Sequence, residues 1–259
     1  MTLRKKPWCA LVGAGPGDPE LLTLKALRTL RQATLLLVDD LVSDAVVELA
    51  LRGRRKPPRV VHVGKRGGCR STPQAFIEKL MVSEALAGQR VVRLKGGDPF
   101  IFGRGGEEAA ALRSHGIEVE IVNGITSGLA AATALGVPWT HRDHAQGVML
   151  VTGHARAGAP GPDWAVLGAA AAQGLTLVVS MGMASLQELQ QGLLVALPAG
   201  TPAAVVQHAG TAQERLCVTT LAGLAQDARA QGLASPAIVL VGNVLLARHA
   251  LVQRQPQAA

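Results

Sequence analysis

A chain of 259 residues, 48% apolar and 17% charged, is long enough for one large globular core or two smaller ones and too apolar to remain unfolded. The formal net charge of +8 points to an anionic partner, yet only 2% of the residues are aromatic and none is Tyr, which leaves few stacking surfaces for nucleic acid, and no zinc-finger or RNP pattern occurs. Three scattered cysteines, Cys9, Cys69 and Cys217, make no C-x-x-C pair, and the two long uncharged stretches at 121–140 and 164–187 are interrupted by Gly, Pro or polar residues, so the chain reads as a cytoplasmic protein without disulfides, thiolate metal site or membrane span.

Trp8 to Gly13 predicts a strand, which ends in Gly13-Ala14-Gly15-Pro16-Gly17-Asp18-Pro19. The spacing of Leu21, Leu24, Leu27 and Leu30 predicts a helix over 20–31, and Leu35 to Val38 a buried strand ending in Asp39-Asp40, which completes a β-α-β unit. A dinucleotide fold is disfavoured, because Asp18 stands where the third glycine of G-x-G-x-x-G belongs. Asp39, at a strand's carboxyl end, has two readings: a general base, or the N-cap of a helix beginning near Ser43 or Asp44. After a basic loop around Arg54, Val60 to Val63 predicts a strand ending in Gly64-Lys65-Arg66-Gly67-Gly68, and Thr72-Pro73-Gln74 opens a helix to about Ala87.

Val91-Val92-Arg93-Leu94 then starts a strand that runs into Lys95-Gly96-Gly97-Asp98-Pro99, with Gly103-Arg104-Gly105-Gly106 close behind. Five glycines within 96–106 imply positive-φ turns or close approach of backbone to a ligand, and the carboxyl end of a strand is where α/β sheets bind ligands. Asp98 offers acceptors to a hydroxyl or amine and Arg104 a planar fork to carboxylates; the plainer reading is a strand, a turn and a helix cap. Residues 107–115 read as helix and 117–122 as strand. The turn from Asn123 to Gly128 opens a small-residue helix, Leu129 to Leu135, and marks the expected boundary between domains 1–122 and 123–259. Further strands are expected at 148–151, 175–180, 203–206 and 237–241, and helices at 185–194 and 221–231. His141-Arg142-Asp143-His144 reads as a loop rather than a metal cluster.

With these residues in view, the chain resembles the uroporphyrinogen-III C-methyltransferases over roughly Ala10 to Val244. The marks are VGAGPGDPELLTLKA from Val12, DxLVSD from Asp39, VGKR from Val63, RLKGGDPFIFGRGGEE from Arg93, GITS from Gly124, THRD from Thr140, VTGH from Val151 and SPAIVLVG from Ser235. The resemblance implies two α/β domains with the active site in the cleft between them, a homodimer, and S-adenosylmethionine as methyl donor with S-adenosylhomocysteine as product. The implied reaction places two methyl groups on uroporphyrinogen III, giving precorrin-2 for sirohaem and cobalamin, with no metal, nucleic acid or membrane involved. The implied methionine-nucleoside pocket falls on Pro16, Gly96, Gly97, Asp98, Ile101, Thr126, Ser127, Met181 and Ala204. Asp39 matches the family's proton acceptor, Lys65 its proton donor and Arg104 a residue facing the tetrapyrrole; Arg66 and Arg142 add positive charge suited to the substrate's carboxylates. Departures from the family pattern include Asp40 for a usual arginine, Asn123 for a proline, His144 and Ser180 for tyrosines, and Gln207-His208-Ala209-Gly210 for Glu-Asn-Gly. Two other readings stand beside this one: a related precorrin methyltransferase, and a non-catalytic tetrapyrrole-binding or sensing protein.

Overall fold

The computed structural model describes residues 6–64, 72–154 and 158–248. The chain divides into two compact units, Met1–Thr126 and Ser127–Ala259. The first contains β1 (Trp8–Gly13), α1 (Leu24–Leu30), β2 (Leu35–Val38), α2 (Asp44–Leu51), β3 (Arg59–His62), α3 (Gln74–Leu86), β4 (Arg90–Lys95), α4 (Gly105–Ser114) and β5 (Glu118–Val122). Its five strands form one sheet in the order β3-β2-β4-β1-β5, and every pairing is parallel.

Side-chain alternation along the strands decides what lies on each face of this sheet. Ala10 and Val12, Leu36 and Val38, and Val92 and Leu94 pack with Ala26 and Leu30 of α1 and Val46 and Ala50 of α2. Cys9 and Leu11, Leu35 and Leu37, and Val91 face Ile77, Met81 and Ala85 of α3 and Ala109 and Leu112 of α4. The helices after β1 and β2 therefore cover one face, while the helix after β4 covers the other. Since β4 lies between β2 and β1, its carboxyl end is a point where neighbouring chains part to opposite faces, the place where open α/β sheets form a ligand crevice.

The second unit holds α5 (Ser127–Leu135), β6 (Gly147–Thr152), α6 (Trp164–Ala171), β7 (Leu175–Ser180), α7 (Leu186–Leu193), β8 (Pro202–Gln207), β9 (Arg215–Thr220), α8 (Leu224–Ala230) and β10 (Ala237–Val241). Its sheet runs β6-β7-β10-β8-β9, with only β6 and β7 parallel. Leu177, Val179, Val205 and Val239 pack under α6, α7 and α8, whereas Val178, Ala204, Val206 and Leu240 face α5.

Local chemistry moved some boundaries from their expected places. The helix expected over 20–31 is split: Asp18 caps a single 3₁₀ turn at Pro19–Leu21, and the Thr23 hydroxyl then accepts from Ala26 N to start α1 at Leu24. β9 was not expected; Val218 is exposed and Cys217 buried, so this edge strand presents only a short, broken apolar pattern. No helix among the described residues is long and apolar enough to cross a membrane.

Candidate functional site

Three loops meet at the carboxyl ends of β1, β4 and β5. Gly15 and Gly97 exchange both backbone hydrogen bonds, at 3.2 and 2.7 Å, and each has a positive φ, 74° and 64°, that glycine adopts without strain. A Cβ on Gly13 would lie 2.5 Å from Gly124 N and 2.6 Å from Gly97 O. The glycines thus let three backbones touch where side chains would hold them apart. The loop after β2 joins the group: Ser43 Oγ donates to Gly17 O at 2.6 Å, and a Cβ on Gly96 would meet that of Leu41 at 2.7 Å.

Asp98 ties these loops together. Its Oδ1 accepts from Phe100 N at 2.8 Å, and its Oδ2 from Asn123 Nδ2 and Gly124 N, both at 3.1 Å. The residue is 7% exposed and its carboxylate accepts from the chain's own donors, as the cap of a turn does. Asn123, one of the family departures, supplies a donor that a proline lacks. Hydrogen bonds to a buried carboxylate are worth about 1.5–3 kcal/mol each, and their loss also strands donors. Asp98→Ala should therefore lower stability by about 3 kcal/mol or more, read as a fall in the urea midpoint at unchanged slope; a change below about 0.5 kcal/mol would show that the clamp is dispensable.

Asp39 follows β2 with its backbone still on the ladder, its N donating to Leu94 O at 3.0 Å. The cap reading is excluded, because Ser43 caps α2 by accepting from Val46 N. Instead Asp39 Oδ1 accepts from Arg93 Nη2 at 2.9 Å, and the Asp39 side chain is 31% exposed against 2% for Arg93. Odd-numbered residues of β2 and β4 share the α3/α4 face, so the same alternation that buries Leu37 and Val91 puts Asp39, Arg93 and Lys95 on one side. There Glu108 of α4, 0% exposed, takes Lys95 Nζ at 3.0 Å, Gln74 Nε2 at 3.2 Å and Arg93 Nε at 3.4 Å, all on Oε1. Burial, reinforced by the Arg93 guanidinium, lowers the Lys95 pKa, with Glu108 opposing. Burial first, and then Glu108, push the neighbouring Cys9 thiol far up, so it stays protonated and inert. Arg93, Lys95 and Glu108 did not stand out in the sequence; the signal was two cations two residues apart, Arg93 and Lys95, on one face of an otherwise apolar strand, with Glu108 on the helix that follows.

Of the other expected site residues, Pro16 is half-buried beside Gly15, and Ile101 is 38% exposed in the loop after β4. Arg104 takes a left-handed φ of 57° at the start of α4 and grips Glu107 with two bonds, Nε at 3.0 Å and Nη2 at 2.6 Å, which raises its pKa further. Thr126 ends the first unit and Ser127 begins α5. In the second unit, Met181 follows β7 with φ 56° and 47% exposure, packed closely enough on the loop after β6 that a Cβ on Gly153 would meet Met181 O at 3.1 Å. Ala204 is wholly buried in β8. Arg142 is exposed, and the flanking His141 and His144 rings stack at 4.6 Å; no grouping of three metal-binding side chains occurs among the described residues. Lys65 and Arg66 lie outside the described residues.

Interlocked glycine loops at a switch point of a parallel sheet, with a half-open carboxylate beside them, stand where α/β enzymes of this architecture bind their ligands. Residues 9–225 match the profile of the Tetrapyrrole (Corrin/Porphyrin) Methylases, and the chain belongs to that family. It is 52% identical to a uroporphyrinogen-III C-methyltransferase of Pseudomonas aeruginosa over 240 residues, covering 92% of this chain and 94% of that one. Among solved structures it resembles the uroporphyrin-III C-methyltransferase of Thermus thermophilus complexed with S-adenyl homocysteine, at TM-score 0.76 and 39% identity, covering 93% and 99% of the two chains. A cobalt precorrin-4 methyltransferase superposes with TM-score 0.79 at 28% identity, covering 92% and 95%.

Proposed function

We propose that this chain transfers two methyl groups from S-adenosylmethionine to uroporphyrinogen III, giving precorrin-2. The observation that carries the reading is Asp39, a carboxylate fixed by a buried arginine yet 31% exposed, at the end of β2 beside the glycine loops that follow β1 and β4. The choice of substrate rests on sequence. The backbone is as close to that of a precorrin-4 enzyme as to that of a uroporphyrin-III enzyme, whereas identity rises from 28% to 52% toward the uroporphyrinogen-III relative.

The residues present suit the methyl donor. In the first unit Gly96 and Gly97 offer half-exposed backbone to the methionine end and Ile101 offers apolar surface, 38% exposed; in the second, Met181 is an apolar side chain 47% exposed. Bound S-adenosylmethionine supplies an electrophilic methyl on a sulfonium sulfur. The chain's own work is to align a pyrrole carbon with that methyl and, once the new carbon–carbon bond has formed, to remove a proton from a ring-bridging carbon, which restores neutrality. Asp39 takes that proton on Oδ2, while Arg93 holds Oδ1. Arg104 and Arg142, both exposed, pair with substrate carboxylates, and the net charge of +8 draws the polyanion in. We assign Lys65 the proton donor's part and Arg66 a substrate contact, and extend the reading to a homodimer acting in the cytoplasm.

Anaerobic incubation of the chain with uroporphyrinogen III and methyl-labelled S-adenosylmethionine tests this. Two labelled methyls on one tetrapyrrole are expected, with faster turnover than on later precorrins. Folded protein that binds both ligands and transfers nothing would overturn the reading in favour of a sensor.

A further inference from the structure

The first unit joins four ionisable groups in one connected set, three of them buried and one reaching solvent. Arg93 and Lys95 project from β4, Glu108 from α4, and Asp39 from the end of β2; two cations face two carboxylates. Arg93, Lys95 and Glu108 are 2%, 5% and 0% exposed, Asp39 31%. Burying such charges costs several kcal/mol per ion before pairing, and apolar side chains of similar volume fill the space without that cost. What an apolar side chain cannot do is hold a carboxylate in a chosen orientation. Arg93 has the shape for it: a planar fork with Nη2 on Asp39 at 2.9 Å, Nε toward Glu108 at 3.4 Å and Nη1 toward Leu94 O at 3.5 Å. Glu108 is in turn fixed by Lys95 and Gln74, so the fork is braced from α3, α4 and its own strand.

We infer that Arg93 is a positioning residue for the methylation, orienting the Asp39 carboxylate toward the crevice from a base formed by Glu108 and Lys95. The inference rests on the reading of Asp39 as the base. Arg93 touches neither donor nor tetrapyrrole; it acts through Asp39 alone, and that restriction can be measured.

A double-mutant cycle does so. Asp39→Asn, Arg93→Met and the double variant are compared for kcat and KM on uroporphyrinogen III, with S-adenosylhomocysteine binding by calorimetry as the check that each is folded. Arg93→Met should lower kcat by about 10- to 100-fold, the scale of a misplaced catalytic group, with both KM values within about threefold. In the Asp39→Asn background the same change should cost less than about twofold, because the carboxylate it served is gone. Arg93→Lys, which keeps the charge and loses the fork, should recover part of kcat in the wild-type background and change nothing in Asp39→Asn; it also serves if Arg93→Met fails to fold. Equal losses in both backgrounds would mean that Arg93 supports the fold and not the base, and would overturn the inference while leaving the base intact. Full activity in Asp39→Asn alone would instead overturn the assignment of Asp39, and the inference with it.

Discussion

Asp39→Asn lowers kcat for uroporphyrinogen III methylation by about 10²- to 10⁴-fold, the range removed with a general base, which corresponds to roughly 3–5 kcal/mol of transition-state stabilisation. The substitution is close to isosteric. Asn keeps an oxygen for Arg93 Nη2, whose bond to Asp39 is 2.9 Å, so the fork and the Glu108 cluster behind it remain in place. What disappears is the negative charge and the site for the departing proton. Both KM values and S-adenosylhomocysteine affinity should stay within a few-fold, as the loss of a proton acceptor rather than of a ligand clamp requires. Label transfer followed by product mass spectrometry measures this. A kcat within about twofold of wild type would move the base elsewhere.

Gly13→Ala has the second large effect, on stability and activity together. The added methyl would meet Gly124 N at 2.5 Å, Gly97 O at 2.6 Å and Gly124 Cα at 2.7 Å, all backbone atoms with no rotamer to turn away. Inserting a methylene into a packed interior costs about 1–3 kcal/mol where side chains can yield; here the strands themselves must part, so the upper end or more is expected. For a unit of this size that is a fall in Tm of roughly 10 °C. The Gly15–Gly97 bridge sits beside the clash, and opening it displaces Asp98 and Gly96, so activity falls with stability. Gly106→Ala supplies the contrast. It lies in the same glycine-rich stretch but is exposed at the start of α4 with nothing within 4 Å of a new Cβ, and should be neutral or stabilising by up to about 1 kcal/mol. Equal Tm values for the two variants would remove close backbone approach as the reason for Gly13.

That contrast shows what could be read from the sequence and what could not. The glycine cluster after β4 announced a crowded strand end, but composition treats its members alike. Gly97 needs its positive φ, Gly103 and Gly105 abut Pro99 O, and Gly106 needs nothing. The apolar runs of β1, β2, β7 and β10 were legible because a strand buried on both faces leaves few alternatives. Chain-order reasoning placed Asp39 at a strand end and left two roles open; setting the cap aside required seeing that Ser43 caps α2, and only the fold shows that Arg93, distant in sequence, reaches Asp39 across the strand pair. The turn from Asn123 to Gly128 was expected to divide the domains; the two compact units part within it, after Thr126, and the bonds of Asn123 and Gly124 to Asp98 tie its first residues to the first unit.

The meeting of Gly13, Gly97 and Gly124 also bears on how the protein is made. Its three backbones come from the end of the first strand, the end of β4 and the turn just past β5, so this junction is built entirely from contacts between distant segments. Such contacts return free energy only after the long intervening loops have closed. A chain still leaving the ribosome can form the β1-α1-β2 segment early, but it has no crevice until β5 and the glycine beyond it have emerged. From then on the crevice belongs to the folding of the whole first unit, and a truncated or stalled chain holds no partial version of it.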